Sequence, residues 1–429
     1  MAGTKYLKLF ETHSEYQTYI NGQDAILPNV SYCEDNNDVH YNPWTWAEAY
    51  LTTVAREDGT ISFNIWKSMG TDMITSISYS TDNGETWTTT TNQDNKTEHL
   101  VIDVDVNTGD KVLWKGIATQ IGYYDEDYYG DSVGSFFSSD CEFDAKGNVM
   151  SLLYGDNYKG QTILEEEGAI CCLFSDYDGE NTCGIVNAKD LSLPAITLAT
   201  SCYQNMFSDC TSLVTAPELP ATTLAQGCYS NMFDGCTSLT TAPVLSATTL
   251  ADGCYGSMFQ GCTSLVTAPV LSATTLALRC YSYMFQGCTS LVNVPQLPVT
   301  TLANSCYQNM FSGCTSLVTA PELPATTLAS NCYQFMFQGC TSLVNAPELP
   351  ATTLVDGCYF AMFQGCTSLN YIKAMFTTTP SGSSPNYYTS GWVQNVAASG
   401  TFVKNSAAQW NVNGVNGIPS GWTVQTASE

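Results

Sequence analysis

The chain has 429 residues, 44% of them hydrophobic, and 40 acidic residues against 13 basic ones set its formal net charge at −27. At about 100–200 residues per domain, this length implies two to four structural units. The acidity excludes nucleic acid as a partner, because phosphate binding needs clustered Lys and Arg; no apolar run approaches the roughly 18 residues of a membrane-spanning helix, so no membrane insertion is expected.

The opening "MAGTKYLKLFETHSEYQTYING" has lysines but no apolar core segment, so no signal peptide is expected. Residues 1–45 mix a short helical stretch with extended, Pro-containing segments and aromatic anchors. They read as an arm that docks on another subunit.

Residues 46–185 read as an acidic β-sandwich, Ig-like or jelly-roll in kind. Residues 1–185 together hold 31 acidic and 9 basic residues. "GTISFNIWKS", "MITSISYS", "HLVIDVDV" and "DKVLWKGIA" are β-rich, and "EDG", "DNG" and "NTGD" supply turns between them. "CEFDAKGNVMSLLYGDNY" continues the pattern.

Within this region "STDNGETW" (Ser80 to Trp87) matches the Asp-box of sialidases and related propellers. In that family the box staples a hairpin far from the chemistry. Here it occurs once, and Arg56 and Arg279 are the only arginines, so no cluster exists to hold a sialic acid carboxylate. Asp82, Gly84 and Trp87 therefore read as a structural hairpin. The loop "GYYDEDYYGDS" surrounds acidic residues with tyrosines. It is open to three readings: a solvated acidic loop, a partner contact through Tyr124, Tyr128 and Tyr129, or a calcium site on Asp125, Asp127 and Asp131. No other cofactor is expected. "SDYDGEN" at 175–181 reads as a linker.

Residues 186–371 hold 8 acidic and 2 basic residues and repeat with a period of 26. Cysteines fall at 202, 228, 254, 280, 306, 332 and 358, and again at 210, 236, 262, 288, 314, 340 and 366. Within one unit Cys228, Met232 and Cys236 are spaced i, i+4, i+8, with Tyr229 and Phe233 beside them. "CYSNMF" therefore reads as a short two-turn helix ended by Gly235. "TSLTTAPVL" reads as a short strand and turn. One unit cannot bury its own apolar face, so neighbours must stack. The fold expected is mostly β with short helices: the arm, the sandwich, a seven-turn leucine-rich solenoid, and a cap over 372–429 in which "GTFVKN" and "NGIPSGWTV" form short closing strands.

The cysteines, typified by Cys228, Cys236, Cys254 and Cys262, read as buried free thiols packing as small hydrophobes. Disulfides between neighbouring turns and metal binding are the alternatives; the absence of repeating histidines and the ladder geometry weigh against a closed zinc site. Residues that change between repeats are the candidates for partner contact. They include Tyr283, Phe335 and Phe360 as an exposed aromatic strip and Arg279 beside them.

"MFQGCTSLVTAPELPATTLA" resembles the units of BspA-like leucine-rich repeat proteins of Bacteroidales and their crAss-like phages, and the resemblance runs from Leu191 through the tail. The arm is similar to the openings of Bacteroidales phage and mobile-element proteins. These resemblances imply a virion structural or accessory protein, such as a fibre or capsid decoration. The arm would bind other virion proteins. The solenoid would bind host-surface or mucus glycans or proteins at the virion surface, and a homo-oligomer is expected, the trimer being the common form of fibres. The alternative is a bacterial cell-surface adhesin that binds host proteins; a glycan-active enzyme comes third. The three histidines (His13, His40 and His99) form no zincin pattern, and no GxSxG, Walker or dinucleotide fingerprint is present, so no enzyme is expected.

Overall fold

The computed structural model describes residues 32–33, 39–40, 49–65, 74–91, 100–125, 131–175, 183–383 and 387–427. The arm expected over 1–45 lies outside them, apart from the antiparallel pairing of β1 (Tyr32–Cys33) with β2 (Val39–His40).

The front of the chain forms strands where the apolar alternation places them. β3 (Leu51–Ala55), β5 (Ile74–Ser80), β6 (Thr88–Thr91), β8 (Lys111–Ala118) and β12 (Phe143–Asn148) lie in one sheet, with β14 (Ile185–Asn187) and β15 (Leu191–Ser192) joined to β12 in parallel. β4 (Gly59–Ile65), β7 (Leu100–Val106) and β11 (Phe136–Ser139) form a second, antiparallel sheet. In β7, Ile102, Val104 and Val106 are buried while Asp103 and Asp105 face out, a period-two pattern with one wet face. The two sheets share a core: Phe63 meets Phe137 edge-on at 4.8 Å and Trp114 at 6.1 Å. The buried indole N–H of Trp114 donates to Thr53 Oγ1 at 3.0 Å, so its burial leaves no polar group unpaired.

"SLLY" departs from the strand expected there. It forms α1 (Ser151–Tyr154), the one α-helix among the described residues. The Ser151 hydroxyl accepts from Leu51 N–H (3.0 Å) and donates to the Trp114 carbonyl (2.9 Å), tying the turn to both strands.

The repeats differ from expectation in their local structure. "CYSNMF" is not helical. It belongs to a ribbon of linked turns in which every fourth residue is left-handed: φ is +60° at Gly227, +56° at Asn231 and +71° at Gly235. Alternate amides face two ways. The N–H groups of Ser230, Met232 and Asp234 bond back to Gly227, Tyr229 and Asn231 at 2.9–3.3 Å. Those of Gly227, Tyr229, Asn231, Phe233 and Gly235 bond across to Asp252, Cys254, Gly256, Met258 and Gln260 of the next coil at 2.9–3.0 Å. A helix would keep every amide inside itself; this ribbon spends half of them along the stack.

The ribbon suits this spacing geometrically. Spacing i, i+4, i+8 has a period of four, and in an α-helix such a row drifts by about 40° every four residues. In the ribbon it does not drift, so Cys228, Tyr229, Met232, Phe233 and Cys236 all stay fully buried. The opposite side of each coil, expected as a short strand, makes single parallel bridges instead, such as Thr215 to Thr241 and Leu245 to Leu271.

The ribbon also extends past both ends of the 26-residue copies. Residues 168–174 form it with left-handed Gly168 and Cys172, and Gly168, Ile170, Cys172 and Phe174 donate to the carbonyls of residues 200, 202, 204 and 206. This packing begins ahead of residue 186. The repeat pattern, expected to stop after Leu369, has a further ribbon over 388–395 with left-handed Gly391 and Asn395, in which the carbonyls of residues 388, 390, 392 and 394 accept the amides of Tyr359, Ala361, Phe363 and Gly365. The sequence hides it because the spacing there is 30 rather than 26 and tryptophan replaces the repeating methionine. On the bridged side of the stack, β17 (Tyr371–Ala374) follows the bridges at Asn345 and Leu349 and forms a parallel sheet with β18 (Thr401–Lys404) and β19 (Thr423–Thr426). The indoles of Trp392, Trp410 and Trp422 each donate to a carbonyl, at 2.7–3.1 Å.

Candidate functional site

Two aromatic columns run through the stack. Tyr203, Tyr229, Tyr255, Tyr281, Tyr307, Tyr333 and Tyr359 stack at 5.7–6.0 Å. The phenylalanines stack at 5.3–5.8 Å from Phe174 to Phe363. Phe137 of the front stacks on Phe174 at 5.3 Å, so the column enters the front core. These buried rings hold the scaffold and present nothing to a ligand.

The two cysteine columns are chemically distinct. In the second, Cys236 and Cys262 donate their S–H to the carbonyls of Phe207 and Phe233 in the preceding coil at 3.0 and 3.1 Å, and the same bond recurs from Cys210 to Cys366. In the first, among the described residues, only the end members Cys202 and Cys358 reach a carbonyl, at 3.5 and 3.8 Å. Cys228 and Cys254 have no such bond. Burial pushes the Cys254 thiol up to about 12 and that of Cys262 well above its ordinary range, so neither supplies a thiolate near neutral pH. Among the described residues no group of three or more His, Cys, Asp or Glu side chains is placed to hold a metal ion.

In the front, the Asp-box residues close the β5–β6 turn. Asp82 accepts from the Ser80 hydroxyl (2.7 Å) and the Thr86 amide (2.9 Å), and the Gly84 amide donates to Ser80 Oγ (2.9 Å). The Thr86 hydroxyl and amide hold Asp82 down at about 2. Trp87 packs edge-on against Tyr50 at 5.0 Å and carries the Lys115 ammonium 4.1 Å above its ring. Lys115 also pairs with Asp156 at 2.8 Å, so the face of Trp87 is already occupied.

Of the tyrosine-rich loop, Asp127, Tyr128 and Tyr129 lie outside the described residues. Tyr124, Asp125 and Asp131 sit in the hairpin β9 (Gly122–Asp125) with β10 (Asp131–Gly134), where Asp125 is paired with Asp131 and Tyr124 with Ser132.

The variable repeat positions come together on the outer side of the ribbon. Arg279 is exposed; Tyr283, Phe335 and Phe360 are half-buried. Phe335 and Phe360 touch edge-to-face at 5.1 Å across adjacent coils, while Tyr283 lies two coils away and receives a hydrogen bond from the Gln308 amide at 3.4 Å.

What sequence reasoning missed is the backbone beneath them. Across the seven copies the left-handed positions carry Gly, Asn, Ser or Asp except at Arg279 (φ +53°), Tyr283 (+61°), Phe335 (+56°) and Ala361 (+48°). A side chain with a Cβ and no local hydrogen-bonding group costs about 1–2 kcal/mol there. Ala361 is buried, Tyr283 and Phe335 are only partly buried, and Arg279 stays exposed. The signal was legible as three columns, four residues apart, filled with turn-forming residues.

Two overlapping stretches, 183–310 and 257–389, match the family described as BspA type leucine rich repeat region, in six copies. No curated protein and no solved structure matches the chain. Repeats of this type suggest a surface or adhesion protein. From residue 183 to residue 389 this chain is a BspA-type leucine-rich repeat region, and the protein that carries it is a BspA-like leucine-rich repeat protein.

Proposed function

We propose that the protein is a non-enzymatic attachment protein. A β-sandwich carries a seven-turn solenoid, and the ribbon side of that solenoid makes the contact. One observation carries the reading: Arg279, Tyr283 and Phe335 hold bulky, incompletely buried side chains at left-handed positions where neighbouring coils use Gly, Asn or Ser. Local strain under side chains that stay partly open to solvent marks residues kept for something outside the fold. The buried, protonated thiols and the occupied Trp87 face support contact over catalysis.

The setting we propose is a virion of a phage infecting Bacteroidales, in which the protein is a fibre or decoration that assembles as a homo-oligomer, meets other virion proteins through residues 1–45, and engages host-surface or mucus glycans or proteins. The repeat type favours a second setting, a bacterial cell-surface adhesin. Adhesion of the full chain to Bacteroidales cells and to mucin-coated surfaces tests the contact; a triple Arg279→Ala, Tyr283→Ala, Phe335→Ala variant that folds and adheres undiminished would sink it. Mass spectrometry of purified particles tests the setting: the chain copurifies with virions, and consistent absence moves it to the cell surface.

A further inference from the structure

Arg279 and Tyr283 occupy successive left-handed positions of one coil, the fourth counted from the coil of Cys202. No other copy places two bulky side chains there. Arg279 is exposed, and among the described residues no carboxylate comes within ion-pair distance of it. The neighbouring acid, Asp252, already accepts the Leu278 amide at 3.0 Å. Over residues 186–371 only Lys189 and Arg279 are basic, so this guanidinium is an isolated cation on a nearly uncharged surface. In the same coil, the Tyr283 hydroxyl accepts from the Gln308 side-chain amide of the next coil at 3.4 Å.

Further along the same side, in the sixth and seventh coils, stand Phe335 and Phe360. They are followed in the chain by Gln338 and Gln364, whose side-chain amides bond end to end at 2.6 Å and continue to Gln394 at 2.7 Å. A cation, three incompletely buried rings and a row of amides therefore lie along the stack axis.

We infer, building on the attachment reading, that this strip binds an acidic oligosaccharide laid along the coils, with its anionic substituent on Arg279 and its ring faces against Tyr283, Phe335 and Phe360. The guanidinium fork suits a carboxylate or a sulfate in two-point contact. Aromatic faces suit the C–H faces of pyranose rings, and amides suit their hydroxyls. The lengths agree: parallel-bridged coils are about 4.8 Å apart, close to the span of one extended pyranose, so the fourth to the seventh coil covers about 15 Å, or three sugar residues. A protein partner would call for roughly 20–30 residues a side, far wider than this strip.

Calorimetry on the full chain with a sialylated, a sulfated and a neutral oligosaccharide of equal length tests the inference. Binding to the sialylated or the sulfated sugar is expected, and the two arms separate carboxylate from sulfate. Arg279→Ala should weaken binding roughly tenfold or more, Arg279→Lys less, and Phe335→Ala with Phe360→Ala should weaken it without removing the preference for charge. Equal affinity for the neutral sugar, an unchanged Arg279→Ala variant, or no binding to any of the three overturns it. If the chain still adheres to cells or mucin in that last case, the attachment reading survives and only the ligand class is lost; if adhesion is absent too, both fall.

Discussion

The acidic front and the repeat stack solve the same problem, burying apolar side chains without orphaning backbone groups, in opposite ways. The front pairs whole strands distant in sequence: Phe137 of β11 faces Phe63 of β4, and Trp114 sits between sheets. The stack pairs each residue with its counterpart one copy later, through alternate ribbon amides and rings about 6 Å apart. The difference teaches where each region is vulnerable. A front residue supports several strands at once, whereas a stack residue supports only the coils on either side.

The largest test removes a ring from each region. Phe285→Ala and Trp114→Ala should each cost about 3–5 kcal/mol. Hydrogen exchange should show the Phe285 loss confined to adjacent coils and the Trp114 loss spread over β3, β5 and β8. Uniform deprotection of the stack by Phe285→Ala would contradict nearest-neighbour coupling.

Next in size is a contrast between the cysteine columns. Cys254→Ser buries a hydroxyl at a fully buried thiol position and should cost about 1–3 kcal/mol. Cys262→Ser keeps a donor for the Phe233 carbonyl and should cost less than about 1 kcal/mol. Denaturant unfolding of the two variants compares them directly, and equal costs would erase the distinction.

Smaller again is the backbone effect. Asn231→Ala should lose about 1 kcal/mol, and Tyr283→Asn should gain up to about 1 kcal/mol while weakening adhesion. A Tyr283→Asn chain that is less stable than the parent would remove the strain argument.

The smallest effect is one of sign, in pH. Asp82 is held at about 2 by Thr86, below its ordinary 3.8, so it stabilises the front above about pH 4 and that contribution is lost as pH falls toward 2. Asp234 is raised to about 6 by burial and, secondarily, by Asp209 in the preceding coil. It binds its proton more tightly when folded, so its coil gains stability as pH falls from about 6 to 4 and loses it on the way up. Thermal melts across that range should show the stack strengthening slightly in mild acid, and Asp234→Asn should flatten that slope; a stack that weakens from pH 6 to 4 would contradict it.

The repeat, its 26-residue period, the inward residues from Cys228 to Cys236 and alternating strands such as β7 are legible in the order of the amino acids. A period-two pattern or a strict copy leaves burial little choice. That order could not separate a four-residue ribbon from a helix, because i, i+4 spacing serves both. The stacking of the coils settles it, since half of the ribbon amides find their partners in the next coil rather than within the segment. The ribbons at 168–174 and 388–395 stayed hidden because both fall outside the 26-residue spacing, and the backbone bonds that join them to the neighbouring coils show only in the fold.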